Sequence, residues 1–163
     1  NLQINSPELK TMAYKALVRP LLEYSCSVWD PSTQRCIDQL EMVQRRAARF
    51  VLNRYHNTSS VSDMITQLGW TSLEKRREHS RLVMFYKLRN NLVELNTDDY
   101  ITPVSRPTRT CHSQGYQVPR SRTEYHRQSF FPKTVRTWNC LPQEVIMAPS
   151  VDVFRLRLTT HSG

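Results

Sequence analysis

Glycine is scarce, with three in 163 residues, and that scarcity removes several protein classes. A Gly-rich phosphate loop, a tight-hairpin β protein and a flexible linker all draw on glycine for tightly turned backbone. No Walker loop and no Gly-x-Ser-x-Gly elbow is present. No run approaches the roughly 18 apolar residues of a membrane-spanning helix, so no membrane partner is expected. The four cysteines, Cys26, Cys36, Cys111 and Cys140, form no Cys-x-x-Cys, which excludes a zinc knuckle or ribbon by spacing. Cys111-His112 stands alone. The five histidines, His56, His79, His112, His126 and His161, show neither His-x-x-x-His nor His-Glu-x-x-His. Asp98-Asp99 is the one adjacent carboxylate pair, a type that can hold Mg²⁺. It follows Asn96-Thr97 and reads more economically as a solvated N-terminal helix cap. No catalytic residue, metal ligand or cofactor is assigned, and no activity is expected of this chain alone.

What is abundant is arginine. Of 23 cations, eighteen are Arg and five are Lys, giving a net charge of +9. A surface built only for solubility would favour Lys. Guanidinium is a planar, weakly hydrated fork suited to phosphate contact and base stacking, so nucleic acid is the expected partner. The length is that of one domain, or one domain with a tail, and a chain of this size buries about 70% of its unfolded surface. It begins at Asn1 with no signal peptide, so it is read as part of a longer protein, with reduced, intracellular and mostly buried cysteines.

The hydrophobic pattern is helical over the first half. Ser6-Pro7-Glu8 opens a helix whose apolar positions run from Leu9 to Val28, with a kink or break at Pro20 and an end at Trp29-Asp30-Pro31-Ser32. A second helix is predicted over 33–53, with Ile37, Leu40, Val43, Ala47, Phe50 and Val51 as its apolar stripe. Arg45, Arg46, Arg49 and Arg54 gather at its C-terminal end. Complementing the helix dipole needs one or two cations rather than four. Three arginines so close in sequence cannot all face one way, and at least one should pack or pair with Glu41. A short helix fits 60–68, stopped by Gly69. Thr71-Ser72-Leu73-Glu74 reads as a capping box for a helix to about Asn90, with Arg76, Arg77 and Arg81 on its first turns. That helix is richer in large apolar residues than a lone helix needs, which suggests a partner surface.

Near Asn96 the character changes. Between Ile101 and Arg136 lie Arg106, Arg109, Arg120, Arg122, Arg127, Lys133 and Arg136 against a single acid, Glu124, with four prolines and interleaved aromatics. An extended, loop-rich segment is expected, with short strands around Tyr116–Val118. Short helices are expected from Pro132, from Leu141-Pro142 and after Ser150. The predicted fold is mainly α, a helical region over 1–95 and a basic, loop-rich segment with short C-terminal helices over 96–163. Tyr14, Tyr24, Trp29, Phe50, Trp70, Phe85 and Trp138 are read as core.

Several strings are more specific than their physics. Ala13-Tyr14-Lys15-Ala16-Leu17-Val18-Arg19-Pro20-Leu21-Leu22-Glu23-Tyr24 runs into Val28-Trp29-Asp30-Pro31. Leu40-Glu41-Met42-Val43-Gln44-Arg45-Arg46-Ala47-Ala48-Arg49-Phe50-Val51 follows, then Leu68-Gly69-Trp70, Leu73, Arg76-Arg77 and Met84-Phe85-Tyr86-Lys87. Ser129-Phe130-Phe131-Pro132-Lys133-Thr134-Val135-Arg136, Trp138-Asn139 and Leu141-Pro142 complete the series. In order and spacing this resembles the region after the catalytic palm of LINE-type, non-long-terminal-repeat retrotransposon reverse transcriptases, especially the jockey and chicken-repeat branches, over about 9–158.

The resemblance implies the helical thumb and C-terminal part of an RNA-directed DNA polymerase. Such a region grips the primer–template backbone and packs beside the palm. Mg²⁺ is expected at palm aspartates, and this chain has no Phe/Tyr-x-Asp-Asp motif. The implied partners are template RNA, the primer duplex and the palm domain, in a ribonucleoprotein of nucleus and cytoplasm. The expected grip uses Arg45, Arg46, Arg49 and Arg54, then Arg76, Arg77 and Arg81. A second stripe comprises Arg120, Arg122, Arg127, Lys133 and Arg136. The alternative is a host-adopted or decayed structural domain that binds protein and has no nucleic-acid role.

Overall fold

The computed structural model describes residues 6–56, 59–104 and 114–161. The protein is mainly α, with one short two-stranded ribbon among the described residues. It divides into two compact units, Asn1–Arg77 and Glu78–Gly163. The composition change near Asn96 falls within the second.

The first unit begins with α1 (Pro7–Ala13), a π-helical turn (Tyr14–Val18) and α2 (Arg19–Glu23). The wide turn is the local answer to Pro20. Proline has no N–H and its ring crowds the carbonyl four residues back, and a turn closed from Arg19 N–H to the Tyr14 carbonyl absorbs both. Ser25, at φ 50°, then breaks the chain before α3 (Cys26–Trp29). Next come α4 (Gln34–Leu52), closed by Asn53 in the left-handed region, and α5 (Val61–Gln67). The Ser60 hydroxyl accepts from Asp63 N–H to start α5, and Gly69 at φ +61° leaves it, a conformation that suits glycine. The helix α6 (Leu73–Arg89) follows. Its cap is Ser72 rather than Thr71, for the Ser72 hydroxyl accepts from Lys75 N–H at 3.2 Å.

The buried face of α4 holds Ile37, Gln44, Ala48 and Val51, with Leu40, Val43 and Ala47 half-buried and Phe50 exposed. The predicted stripe was therefore rotated, because it omitted a polar residue that belongs inside. Tyr14 O–H donates to Gln44 Oε1 at 3.1 Å, and Gln44 Nε2 donates to the Thr71 carbonyl at 3.0 Å. The Tyr14 ring stacks on Trp70, centroids 4.6 Å apart. Glu41 Oε1 accepts from Glu74 N–H at 2.9 Å, supplying the start of α6 with a carboxylate from another helix.

In the second unit the ribbon pairs β1 (Thr102–Pro103) with β2 (Tyr116–Gln117), antiparallel. Four helices follow: α7 (Glu124–Gln128), α8 (Phe130–Asn139), α9 (Gln143–Ile146) and α10 (Val151–His161). The core gathers Leu82, Phe85 and Tyr86 of α6 with Trp138, Ile146 and Phe154. Tyr86 stacks on Phe154 at 4.5 Å and donates to the Ala148 carbonyl at 2.6 Å. Phe85 lies 5.0 Å from Trp138. The Asn139 carboxamide binds both backbone groups of Tyr116, accepting from its N–H at 3.0 Å and donating to its C=O at 2.7 Å. One side chain thus does for β2 what a further strand would do. Leu82, Phe85, Tyr86 and Leu88 are all buried, so the apolar surplus read along α6 serves the chain's own core.

Burial pushes the Tyr14 phenol up to about 12 from its usual 10.0. The folded state therefore keeps this proton between pH 10 and 12 while the unfolded chain releases it. The associated stability is complete below pH 10 and is lost as pH rises through 12, an effect of about 2–3 kcal/mol. Urea unfolding across pH 8–12 should show this loss. Tyr14→Phe should reduce the slope without abolishing it, since burial also raises the Tyr116 phenol. A second expected outcome concerns Asn139→Ala. It strips both partners from the Tyr116 backbone and should cost about 2–4 kcal/mol in denaturant unfolding, with early loss of amide protection at Tyr116.

Candidate nucleic-acid interface

The inward turn of Gln44 sets the direction of the arginines around it. At 100° per residue, Arg45, Arg49 and Arg46 lie 100°, 140° and 200° from Gln44 on the helix wheel, from its flank to its far side. Arg45 and Arg46 are exposed, and neither has an ion-pair partner among the described residues. Arg49 is half-buried with its Nε enclosed. Of the two expected outcomes for this cluster, packing is the one met, by Arg49, while Glu41 accepts at the start of α6. Arg54 is exposed and donates to Gln67 Oε1 at 3.3 Å. Arg35 extends the same outer face toward the N-terminus of α4 and was not among the expected residues. Helical spacing from Arg46 would have found it.

Two of the α6 arginines, Arg77 and Arg81, are a correction, for they are buried, and Arg76 is partly exposed. Arg76 makes a two-pronged pair with Glu23 of α2, Nε to Oε1 and Nη2 to Oε2, the latter at 2.9 Å. The hydrogen bond to Glu23 pushes its pKa further up. Arg77 is 0% exposed and its Nε donates to Asp30 at 2.9 Å. Arg81 is also buried. Arg77 and Arg81 lie in the interior and Arg76 is held at partial exposure, so the three do not form a surface stripe. A charge enclosed this far is tolerable only beside a carboxylate, and Asp30, just past α3, supplies one.

In the second unit Arg120, Arg122 and Arg127 are exposed, and Lys133 and Arg136 of α8 are half-buried. Arg127 approaches Glu124 at 3.6 Å in a solvated pair, with both side chains more than half exposed, an arrangement worth little. Arg136 donates to the Arg127 carbonyl. The cations split by position, those preceding α8 facing water and those on α8 lying partly within the fold. Arg106, Arg109 and Cys111-His112 lie outside the described residues.

Other expectations sort similarly. Tyr14, Phe85 and Trp138 are core, and Trp70 is half-buried against Tyr14. Tyr24, Trp29 and Phe50 are exposed instead. With Leu9, Met12, Leu17, Leu21 and Val28, Tyr24 continues an outward apolar face along α1–α3. Helical spacing identified that face as apolar, but spacing cannot say whether the chain itself covers it. Asp98-Asp99 sits in a turn rather than on a helix, with Asn96 Oδ1 accepting from Asp98 N–H at 3.0 Å. Of the described cysteines, Cys26 is buried while Cys36 and Cys140 are exposed. Among the described residues no group of three His, Cys, Asp or Glu is assembled as for a metal, and no helix is long and apolar enough to cross a membrane.

Comparison with known proteins adds one relative. Over 81 residues, 49% of this chain, the sequence is 31% identical to uncharacterized protein B0403.1 of Caenorhabditis elegans. The match spans 39% of that protein's length. No family model and no solved structure matches the chain.

Substitution should separate the two kinds of arginine. Asp30→Ala leaves Arg77 enclosed without its carboxylate and should cost about 3–5 kcal/mol of stability. Arg45→Gln and Arg46→Gln should each stay within about 0.5 kcal/mol of the parent protein. Chemical denaturation of the three variants side by side checks this.

Proposed function

We propose that this chain is a nucleic-acid-binding, non-catalytic module, the thumb and C-terminal region of a LINE-type retrotransposon reverse transcriptase, which grips the backbone of a primer–template duplex. The observation that carries the reading is the outward pair Arg45 and Arg46 on α4, exposed and without a carboxylate partner among the described residues. Cations left unpaired in water on a rigid helix are suited to phosphate, and phosphate contact is independent of base sequence. The ordered series of motifs supports the same reading. Arg120 and Arg122 supply an exposed second set. The polymerase chemistry and its Mg²⁺ belong to a palm elsewhere in the longer protein, and the template RNA and primer duplex are its partners in a ribonucleoprotein of nucleus and cytoplasm.

A second reading, a protein-interaction domain without a nucleic-acid role, is favoured by the apolar face along α1–α3. Leu21 and Tyr24 are each 77% exposed there and Val28 86%, and exposed apolar side chains gathered on one segment are suited to a partner surface. A palm packed on this face would reconcile the two readings.

The test is binding of a labelled RNA–DNA hybrid, followed by anisotropy over a salt series. Affinity should fall steeply, each phosphate contact adding about 0.7–0.9 to the log–log slope, and the Arg45→Gln/Arg46→Gln double variant should lower the slope by about 1–2. A flat salt response, or no binding at low salt, would leave the protein-interaction reading standing alone.

A further inference from the structure

In the second unit we infer that Tyr125, on the same exposed stretch of chain as Arg120, Arg122 and Arg127, is a stacking platform for an unpaired base of single-stranded nucleic acid. The inference rests on the nucleic-acid reading above and goes beyond it, because a backbone grip on a duplex needs no aromatic.

Tyr125 is 93% exposed, more than any other large hydrophobic residue among those described. Its ring buries almost nothing against its own chain, so it contributes little to the fold. The backbone beneath it is firmly held. The Thr123 hydroxyl accepts from His126 N–H at 3.3 Å to start α7. A 2.9 Å hydrogen bond joins Ser121 Oγ and His126 Nδ1, folding the preceding loop back onto the helix. Ser129 Oγ donates to the His126 carbonyl at 2.7 Å, and Arg136 of α8 donates to the Arg127 carbonyl. A fully exposed ring on a pinned short helix is pre-organised and loses little freedom on binding.

The charge on this stretch of chain favours a polyanion. Arg120 and Arg122 are exposed, and neither has an ion-pair partner among the described residues. The one acid in the sequence between residues 101 and 136, Glu124, is engaged: Gln128 Nε2 donates to its Oε1 at 2.7 Å, and Arg127 lies 3.6 Å from its Oε2. An exposed aromatic ring on a stretch that also carries exposed cations is a combination by which proteins hold single strands, the ring stacking on a base while the cations follow the phosphates. A base inside a duplex keeps both faces stacked on its neighbours and cannot use such a ring. The ligand is therefore a strand with unpaired bases.

The full chain and its Tyr125→Ala variant should be titrated by anisotropy against a labelled twelve-nucleotide single-stranded RNA and against a blunt RNA–DNA hybrid. Tyr125→Ala should weaken the single strand by about 5- to 150-fold and leave the hybrid within about twofold, and Tyr125→Trp should restore the single-strand affinity. Because the ring is exposed, the fold should be unaffected, which circular dichroism checks. Equal loss on both ligands, or no loss on either, overturns the platform while the duplex grip stands. Absence of nucleic-acid binding by the parent chain at low salt overturns both. Polyglutamate binding as tightly as the RNA, with the same loss in Tyr125→Ala, assigns the site to an acidic protein and overturns the inference.

Discussion

The carboxamide of Gln44 is the contact on which the first unit turns. It sits 2% exposed in the middle of α4 and is satisfied at both ends, by the Tyr14 hydroxyl and by the Thr71 carbonyl. A buried amide left without partners would cost more than its bonds return, so both neighbours are held in place by it. Tyr14 fixes the first helical segment, including the π turn ahead of Pro20. Thr71 fixes the chain just before α6. With Gln44 directed inward, helix geometry sends Arg45 and Arg46 outward. The candidate interface is therefore a consequence of a buried hydrogen bond one residue away.

The same residue type has three different fates here. Arg77 is enclosed against Asp30, Arg76 is locked to Glu23 at partial exposure, and Arg45, Arg46, Arg120 and Arg122 remain in water. A net charge of +9 says nothing of this division. Guanidinium tolerates interior positions better than ammonium because its planar fork pairs with a carboxylate in fixed geometry. An arginine-rich composition can therefore serve the interior and a binding surface together.

Many of the motif strings prove to be places where the fold is decided. Trp70 stacks on Tyr14, Gly69 takes the left-handed turn that ends α5, and Arg76 and Arg77 anchor the start of α6 to the segments before α4. Trp138 lies in the core of the second unit, and Asn139 holds β2 through both backbone groups of Tyr116. These strings describe an architecture, and the exposed cations are laid over it. Tyr125 shows the converse, a large side chain at a position the architecture does not use.

Local chemistry carried most of the secondary structure. Ser60, Gly69, Asn53 and Ser150 mark helix ends because a cap or a left-handed turn acts within a few residues, and the starts of α5 and α10 follow from such caps. The helix α7, five residues long and lacking an apolar stripe, gave no periodic signal to find. What sequence could not settle was direction. Asp30 and Glu23 lie 47 and 53 residues from Arg77 and Arg76, and only folding brings them close enough to draw those cations inside. The apolar face of α1–α3 is the mirror case, for periodicity establishes that a stripe exists but only tertiary packing decides whether another part of the chain covers it. Sequence thus determined the helices, their ends and the surplus of positive charge, because each depends on neighbours along the chain. The tertiary structure decided which arginines remain for a partner, because burial and ion pairing depend on residues far apart in sequence.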